Sequence, residues 1–351
     1  MRITEAEIRN FQGIEHCSLL FEPGFNLIRG TNGSGKTAVL EALATGLGGF
    51  VCGIPEVPAR GFTDDDVRRT WGQAEDGLYT PEYHLPVQVK LTAVMDSTQK
   101  SYTWIRTRSG LAASRSSLQP RDIAWDAETM ANQPSEMLPL LCYESATRTF
   151  SRKSGRTGDG LPKRYLRTTG YLDALSGASP ANLLLGWCVR MEQVAWQKGQ
   201  KISEYEAAKK AVQDFMAAVD QQRQYELFFD KQLMELMVLI SGRALPVSAL
   251  SAGLQSLIRM VFDIAFRMAL LNPHLLDRIT ETPGIVLIDD LDQHLHPAWQ
   301  PGVIRAMRRV FPHVQLIAAA HAQVLSAPAE DVHLIDLQDP APGTPETSIS
   351  H

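Results

Sequence analysis

The chain has 351 residues, 44% hydrophobic and 21% charged, enough to bury a sizeable core as one large domain or two lobes. A net charge of −5 gives it no general attraction for nucleic acid, and its four scattered cysteines, without a CxxC pair, suggest neither a zinc site nor a disulfide framework. The opening MRITEAEIRNF has no apolar signal region, and Arg259, Asp263 and Arg267 interrupt the longest apolar run, so no membrane span is expected and the cytoplasm is the expected location.

Met1 to Phe50 reads as two or three strands, a glycine-rich loop and a helix. Cys17 to Arg29 supplies strand, turn and strand, and Gly30-Thr31-Asn32-Gly33-Ser34-Gly35-Lys36-Thr37 is a complete phosphate-binding loop. Across Asn32, Gly33, Ser34 and Gly35 the backbone N–H groups can turn toward phosphate oxygens, Lys36 reaches the terminal phosphates, and the Thr37 hydroxyl can ligate Mg²⁺. Ala38 to Leu47 then forms the helix whose N-terminus faces the anion, so ATP with Mg²⁺ is the expected ligand.

Val87 to Arg106 alternates like an antiparallel hairpin. Arg148 to Arg167 carries seven basic residues (Arg148, Arg152, Lys153, Arg156, Lys163, Arg164, Arg167) against Asp159, interleaved with glycine and serine. This pattern fits a loop that grips a nucleic-acid backbone, one that contacts an acidic partner, or simply a solvated loop. Ala181 to Gln197 and Ser203 to Val219 read as helices joined by Lys198-Gly199-Gln200, and Tyr225 to Val247 as a hairpin. No heptad run of the length a coiled coil requires occurs between Gly49 and Ser251.

The hairpin leads into Leu250-Ser251-Ala252-Gly253-Leu254-Gln255-Ser256, ahead of an apolar stretch to Leu271. Ser251 and Gly253 would present hydroxyl, backbone N–H and helix dipole to a second phosphate site. Lys36 and Thr37 already occupy one side of a triphosphate, so this second site makes best sense from a partner subunit, in a homodimer closed by ATP. Ile285 to Ile288 reads as a strand buried on both faces and tipped with two acids. Asp289 would hold Mg²⁺ directly or through water, and Asp290 would orient or deprotonate the attacking water. Phe311 to Ala320 is a second such strand, delivering His321 to the γ-phosphate or the water. Gln338 to His351 reads as a disordered tail.

In this order the motifs resemble the ABC-class ATPases of the group that holds RecF, the SMC proteins and the OLD proteins. Asp289-Asp290-Leu291-Asp292-Gln293-His294-Leu295-His296-Pro297 is similar to the stretch of their soluble members, unlike that of transporters. Ile8-Arg9-Asn10-Phe11, Pro246 to Ser256, Asn272-Pro273 and Gln323 to Ser326 extend the likeness to OLD-like ATP-binding proteins, whose relatives include ATPase subunits of Septu-like anti-phage systems. The resemblance implies an α/β fold: an ABC-ATPase head with a mixed sheet around the phosphate loop, antiparallel β structure and a compact helical lobe in place of a long coiled coil. It divides a single domain, 1–337, into a nucleotide-binding core (1–110 and 280–337) and a helical lobe (170–279), with the basic loop at 148–167 and a tail at 338–351.

The same resemblance puts Arg9 and Asn10 near the nucleotide, Asp292 in a loop passing between two sites, and Asp66 in a γ-phosphate-sensing loop with Mg²⁺. It implies a sensor or scaffold subunit of a bacterial defence complex that controls a separate effector, a nuclease or toxin. With 30 residues after His321, the second acid cluster of OLD-type nucleases is not expected, and any nuclease activity is expected from another chain. The alternatives are an ATP-binding structural module with little turnover and a RecF-like DNA-repair clamp. Three departures stand out: Asp290 where the family has glutamate, Ala252 where it has an acid, and Ala319-Ala320-His321-Ala322-Gln323 where it has Thr-Thr-His-Ser-Pro. Slow hydrolysis is the expectation from Asp290.

Overall fold

The computed structural model describes residues 1–73, 79–112, 116–145, 165–177, 181–293, 295, 299–321 and 332–337. The basic stretch up to Arg164, the segment 322–331, His294, His296, Pro297 and the tail 338–351 lie outside the described residues.

The N-terminal half begins with β1 (Arg2–Phe11), β2 (Ile14–Leu20), β3 (Phe25–Gly30) and α1 (Lys36–Val51). A two-stranded ribbon follows, β4 (Arg69–Gln73) and β5 (Tyr79–Tyr83), then β6 (Val87–Val94), β7 (Ser101–Arg108), β8 (Ser117–Gln119), α2 (Asp122–Asn132) and β9 (Leu140–Glu144). Next come α3 (Ala181–Lys198), α4 (Ser203–Val219), β10 (Tyr225–Asp230), β11 (Glu235–Ile240), β12 (Arg243–Pro246) and α5 (Ala252–Leu271). The last elements are β13 (Gly284–Ile288), α6 (Gln300–Val310), β14 (Val314–His321) and β15 (Val332–Asp336).

Two five-stranded sheets enclose α1. One is antiparallel, in the order β2-β1-β6-β7-β8, and its strand β6 alternates buried and half-buried residues, as a sheet with one covered face must. The other is parallel, in the order β15-β3-β14-β13-β9, and every residue of β9 and β13 is buried. Continuous apolar runs such as Gly284–Ile288 belong in a parallel sheet because helices cover both of its faces. Helix α1 touches β6, β1 and β7 on one side and β14, β13 and β3 on the other, so almost its entire circumference is apolar and it runs longer than the ten residues the sequence indicates.

Helices α3, α4 and α5 meet at Trp187, whose ring lies 5.3 Å from Tyr205 and 5.1 Å from Phe266, both edge-on. Such aromatic pairs add about 0.5–1.5 kcal/mol each beyond area burial. The expected hairpin over Tyr225 to Val247 is a three-stranded sheet, β10-β11-β12. Its extra turn sits at Ser241-Gly242, where φ is 48° and 88°, the paired left-handed geometry of a tight hairpin turn.

Strand β13 approaches β9 closely because Gly284 has no side chain. A Cβ there would lie 2.1 Å from the Leu140 carbonyl oxygen and 2.5 Å from its nitrogen, both backbone atoms that cannot swing away. Gly284→Ala is therefore expected to cost about 2–3 kcal/mol as overpacking. A urea titration checks this: the midpoint should fall with an unchanged slope.

Candidate functional site

The phosphate loop lies where a strand of a parallel sheet passes into a helix. β3 ends at Gly30, Gly33 and Gly35 adopt φ of 87° and 92°, and α1 begins at Lys36 with Gly35 as its N-cap. Those left-handed conformations suit glycine and turn successive N–H groups to one side, the geometry of an anion cradle. The Lys36 ammonium donates to the carbonyls of Gly30 (2.9 Å) and Thr31 (2.8 Å), which holds it across the loop.

Strand order then brings the second half of the site alongside. β14 lies between β3 and β13, with His321, its last residue, registered opposite Gly30. β13 ends one residue before Asp289, whose carboxylate is 2% exposed and accepts the Thr37 hydroxyl at 3.0 and 3.2 Å. The amide of Asp290 also donates to Asp289 Oδ1 (3.1 Å), and the amide of Asp289 donates to the Glu144 carbonyl (2.8 Å).

Mg²⁺ fits this pair. Two oxygens sharing a Mg²⁺ at about 2.0–2.1 Å and a right angle lie about 2.9 Å apart, close to the Thr37–Asp289 spacing. The donor set is a hydroxyl and a carboxylate, the hard oxygens that this ion prefers. Asp290 follows in the left-handed region, φ 44°, so the chain turns sharply where the strand stops. Asp292 is 9% exposed, and its Oδ1 is buried without a hydrogen-bond partner.

Other residues singled out in the sequence are engaged elsewhere. Arg9 holds the Glu7 carboxylate at 2.6 and 2.9 Å, and the Asn10 amide donates to the Pro86 carbonyl (3.1 Å). The Asp66 carboxylate accepts the Thr63 amide (2.7 Å) and Gln12 Nε2 (3.4 Å), closing a capping box. Gln12 also donates to Glu41 of α1, so Asp66 is tied to the helix of the phosphate loop but not to Thr37 or Asp289. Arg167, counted among the basic residues, donates to the carbonyls of Leu271, Gln133 and Glu136 and is committed to holding chain segments together. Ser251 and Gly253 open α5 and line a separate cavity, whose walls include no residue of Gly30–Thr37 and neither Asp289 nor Asp290.

Glu144 escaped the sequence reading, although its signal was present: Leu140–Glu144 is an apolar run ending in an acid, like Gly284–Asp289. It stands opposite Ile288 in the sheet and accepts the Cys142 thiol (3.4 Å). Burial first, with the Glu144 charge next, pushes that thiol well above its ordinary range. Beside it, Asp263 and Arg267 form a buried pair at 2.7 Å, and Arg267 also donates to the carbonyls of Gly170 and Leu172. Their spacing of four on one helix face was legible, but both had registered only as interruptions of an apolar run.

Comparison with known proteins places this geometry. An "AAA domain" family model matches residues 5–169, and a second, "AAA domain, putative AbiEii toxin, Type IV TA system", matches 193–327. A solved SMC head, bound to the C-winged helix domain of ScpA, superimposes with a TM-score of 0.54 at 15% identity, covering 97% of this chain and 95% of that one. The chain thus has the fold of an SMC ATPase head, and two stretches of it are similar to AAA domains. Among relatives, Septu protein PtuA of Bacillus thuringiensis is 23% identical, over 91% of this chain and 72% of its own. Retron Vc95 probable ATPase of Vibrio cholerae serotype O1 biovar El Tor is 34% identical over 108 residues, 30% of this chain; the match spans 21% of that relative's length. Among the described residues, no helix is long and apolar enough to cross a membrane.

Proposed function

We propose that the chain binds Mg²⁺–ATP, pairs with a second copy around the nucleotide, and hydrolyses it slowly as the sensor or scaffold subunit of an anti-phage defence complex in the bacterial cytoplasm. Through ATP-dependent closure it controls a separate effector, such as a nuclease or toxin. The observation that carries this reading is the Thr37–Asp289 contact, which joins loop and strand end at the spacing of two Mg²⁺ ligands. Similarity to Septu protein PtuA along most of both chains supports the defence role.

In this reading Lys36 swings from its carbonyl partners onto the terminal phosphates, and the loop amides bind the phosphate oxygens. Thr37 and Asp289 hold the metal, which neutralises charge on the phosphates when bound. Asp290 orients the attacking water and accepts its proton, and His321 stands by the terminal phosphate. Ser251 and Gly253 of the partner close the site from the other side, with Asp292 between the two sites. Asp290 also favours a second reading, an ATP-binding module with almost no turnover, because its carboxylate is one methylene short of the family's glutamate.

Steady-state ATP hydrolysis with Mg²⁺, read beside sedimentation, tests the proposal. Wild type is expected to form dimers only with ATP, and Lys36→Ala to lose nucleotide binding by about a hundredfold or more and remain monomeric. Equal dimerisation by Lys36→Ala, or none by wild type, would sink the ATP-closed dimer.

A further inference from the structure

Three side chains of metal-binding type meet in the interior beside β9. Cys142 and Glu144 leave the strand on the same face, two residues apart, and Asp263 reaches them from α5, 121 positions from Cys142 along the chain. Cys142 is 1% exposed, Asp263 5% and Glu144 8%. The Cys142 Sγ, a Glu144 carboxylate oxygen and an Asp263 carboxylate oxygen all lie within 4.8 Å of one another.

Asp263 leaves one bonding position of this cluster open. Arg267 Nε donates to its Oδ2 (2.7 Å), which also lies 3.8 Å from Cys142 Sγ, whereas its Oδ1 is buried without a hydrogen-bond partner. A buried oxygen without a partner is costly, and Arg267 accounts for one oxygen alone. Carboxylates that ligate a metal are themselves held by hydrogen bonds from outside the site, and Arg267 already supplies one.

Geometry and charge both suit a borderline-soft divalent ion. With Zn–S near 2.3 Å, Zn–O near 2.1 Å and a tetrahedral angle, a sulfur and an oxygen ligand stand about 3.6 Å apart. Cys142 Sγ is 3.4 Å from Glu144 Oε1. A thiolate and two carboxylates are balanced by a divalent ion together with the Arg267 guanidinium, so the loaded cluster carries no net charge into the interior. The sulfur ligand selects zinc over magnesium.

We propose that Cys142, Glu144 and Asp263 form a zinc site, binding through Sγ, one Glu144 oxygen and Asp263 Oδ1, with water in the fourth position. On binding, a sulfur–zinc bond replaces the S–H bond and the proton leaves to solvent. The site is distinct from the Thr37–Asp289 pair, which offers oxygen alone. It ties α5 to β9, whose Glu144 carbonyl holds the Asp289 amide, and so braces that strand end from within. The sequence has no CxxC pair to announce it, because the ligands come from two elements far apart in the chain.

Metal analysis of the full chain, expressed with Zn²⁺ and in parallel with Co²⁺, tests the site. Wild type and Lys36→Ala should keep about one zinc per chain after desalting, while Cys142→Ala, Cys142→Ser and the near-isosteric Asp263→Asn should lose affinity by about a hundredfold. The cobalt-loaded wild type should show the near-ultraviolet thiolate-to-cobalt band, lost in Cys142→Ser and kept in Cys52→Ser, which removes the exposed cysteine. A large excess of Mg²⁺ should leave the zinc in place. Wild type without zinc or thiolate band overturns the proposal. So does equal zinc retention by any folded Cys142 or Asp263 variant, which would assign the metal to other ligands.

Discussion

Asp290→Glu is expected to raise turnover by about a hundredfold, the factor that a misplacement on the order of 1 Å costs a catalytic group. The backbone at this position is set: β13 ends at Ile288, Asp289 is held by Thr37 and by the carbonyl of Glu144, and Leu291 donates to the Ala319 carbonyl (3.0 Å). A side chain one methylene longer therefore extends the carboxylate outward without moving the strand. The substitution has an opposing cost, because φ at Asp290 is 44° and aspartate tolerates the left-handed region better than glutamate does. The variant should thus be faster and less stable by about 1 kcal/mol, with a shorter-lived ATP-bound dimer. Single-turnover hydrolysis alongside thermal unfolding separates the two effects. Unchanged turnover in a folded Asp290→Glu protein would remove Asp290 from the water-orienting role.

The second large effect is expected away from the phosphates. Asp263→Ala should cost about 3–5 kcal/mol, because it strands a buried guanidinium. Arg267 is 1% exposed; burial works most strongly against its charge, and Asp263, Cys142 and Glu144 together outweigh it, holding the group above its ordinary value. Replacing both partners, as Asp263→Leu with Arg267→Met, should recover most of the loss, since an apolar pair of similar volume avoids the desolvation of two ions. Urea midpoints of the single and double variants form the cycle that measures the coupling. Equal stability of Asp263→Ala and wild type would mean that water reaches Arg267. The pair also supports the site: Arg267 ties α5 to Gly170 and Leu172, and Asp263 lies 3.8 Å from Cys142, two residues before the carbonyl that holds Asp289.

Much of the fold was legible because its signals are local. A glycine-rich loop between strand and helix, two apolar runs ending in polar residues, and an alternating hairpin each carry their period and punctuation within a dozen residues. What was missed depends on partners far away in the chain. β9 looks like any short apolar run until β13 lies beside it, and the third strand of the β10-β11-β12 sheet is short and mostly exposed, so it lacks an apolar period. The capping box at Asp66 likewise needed the structure: the Thr63 amide donates to its carboxylate across a single turn.

The Thr37–Asp289 contact spans 252 positions in the chain, and the parallel sheet that supports it is bordered by β15 at one edge. As the polypeptide leaves the ribosome, the glycine-rich loop emerges first and then waits for the strand end that carries Asp289. At about 5–20 residues per second the interval is roughly ten to fifty seconds. During that time α1, apolar on nearly every side, lacks the cover of β13 and β14 and has only the antiparallel sheet, α2 and β3 against it. An unfinished chain would thus have a phosphate loop without the Asp289 contact. If nucleotide drives assembly as proposed, that assembly is confined to molecules whose synthesis has passed the last strands.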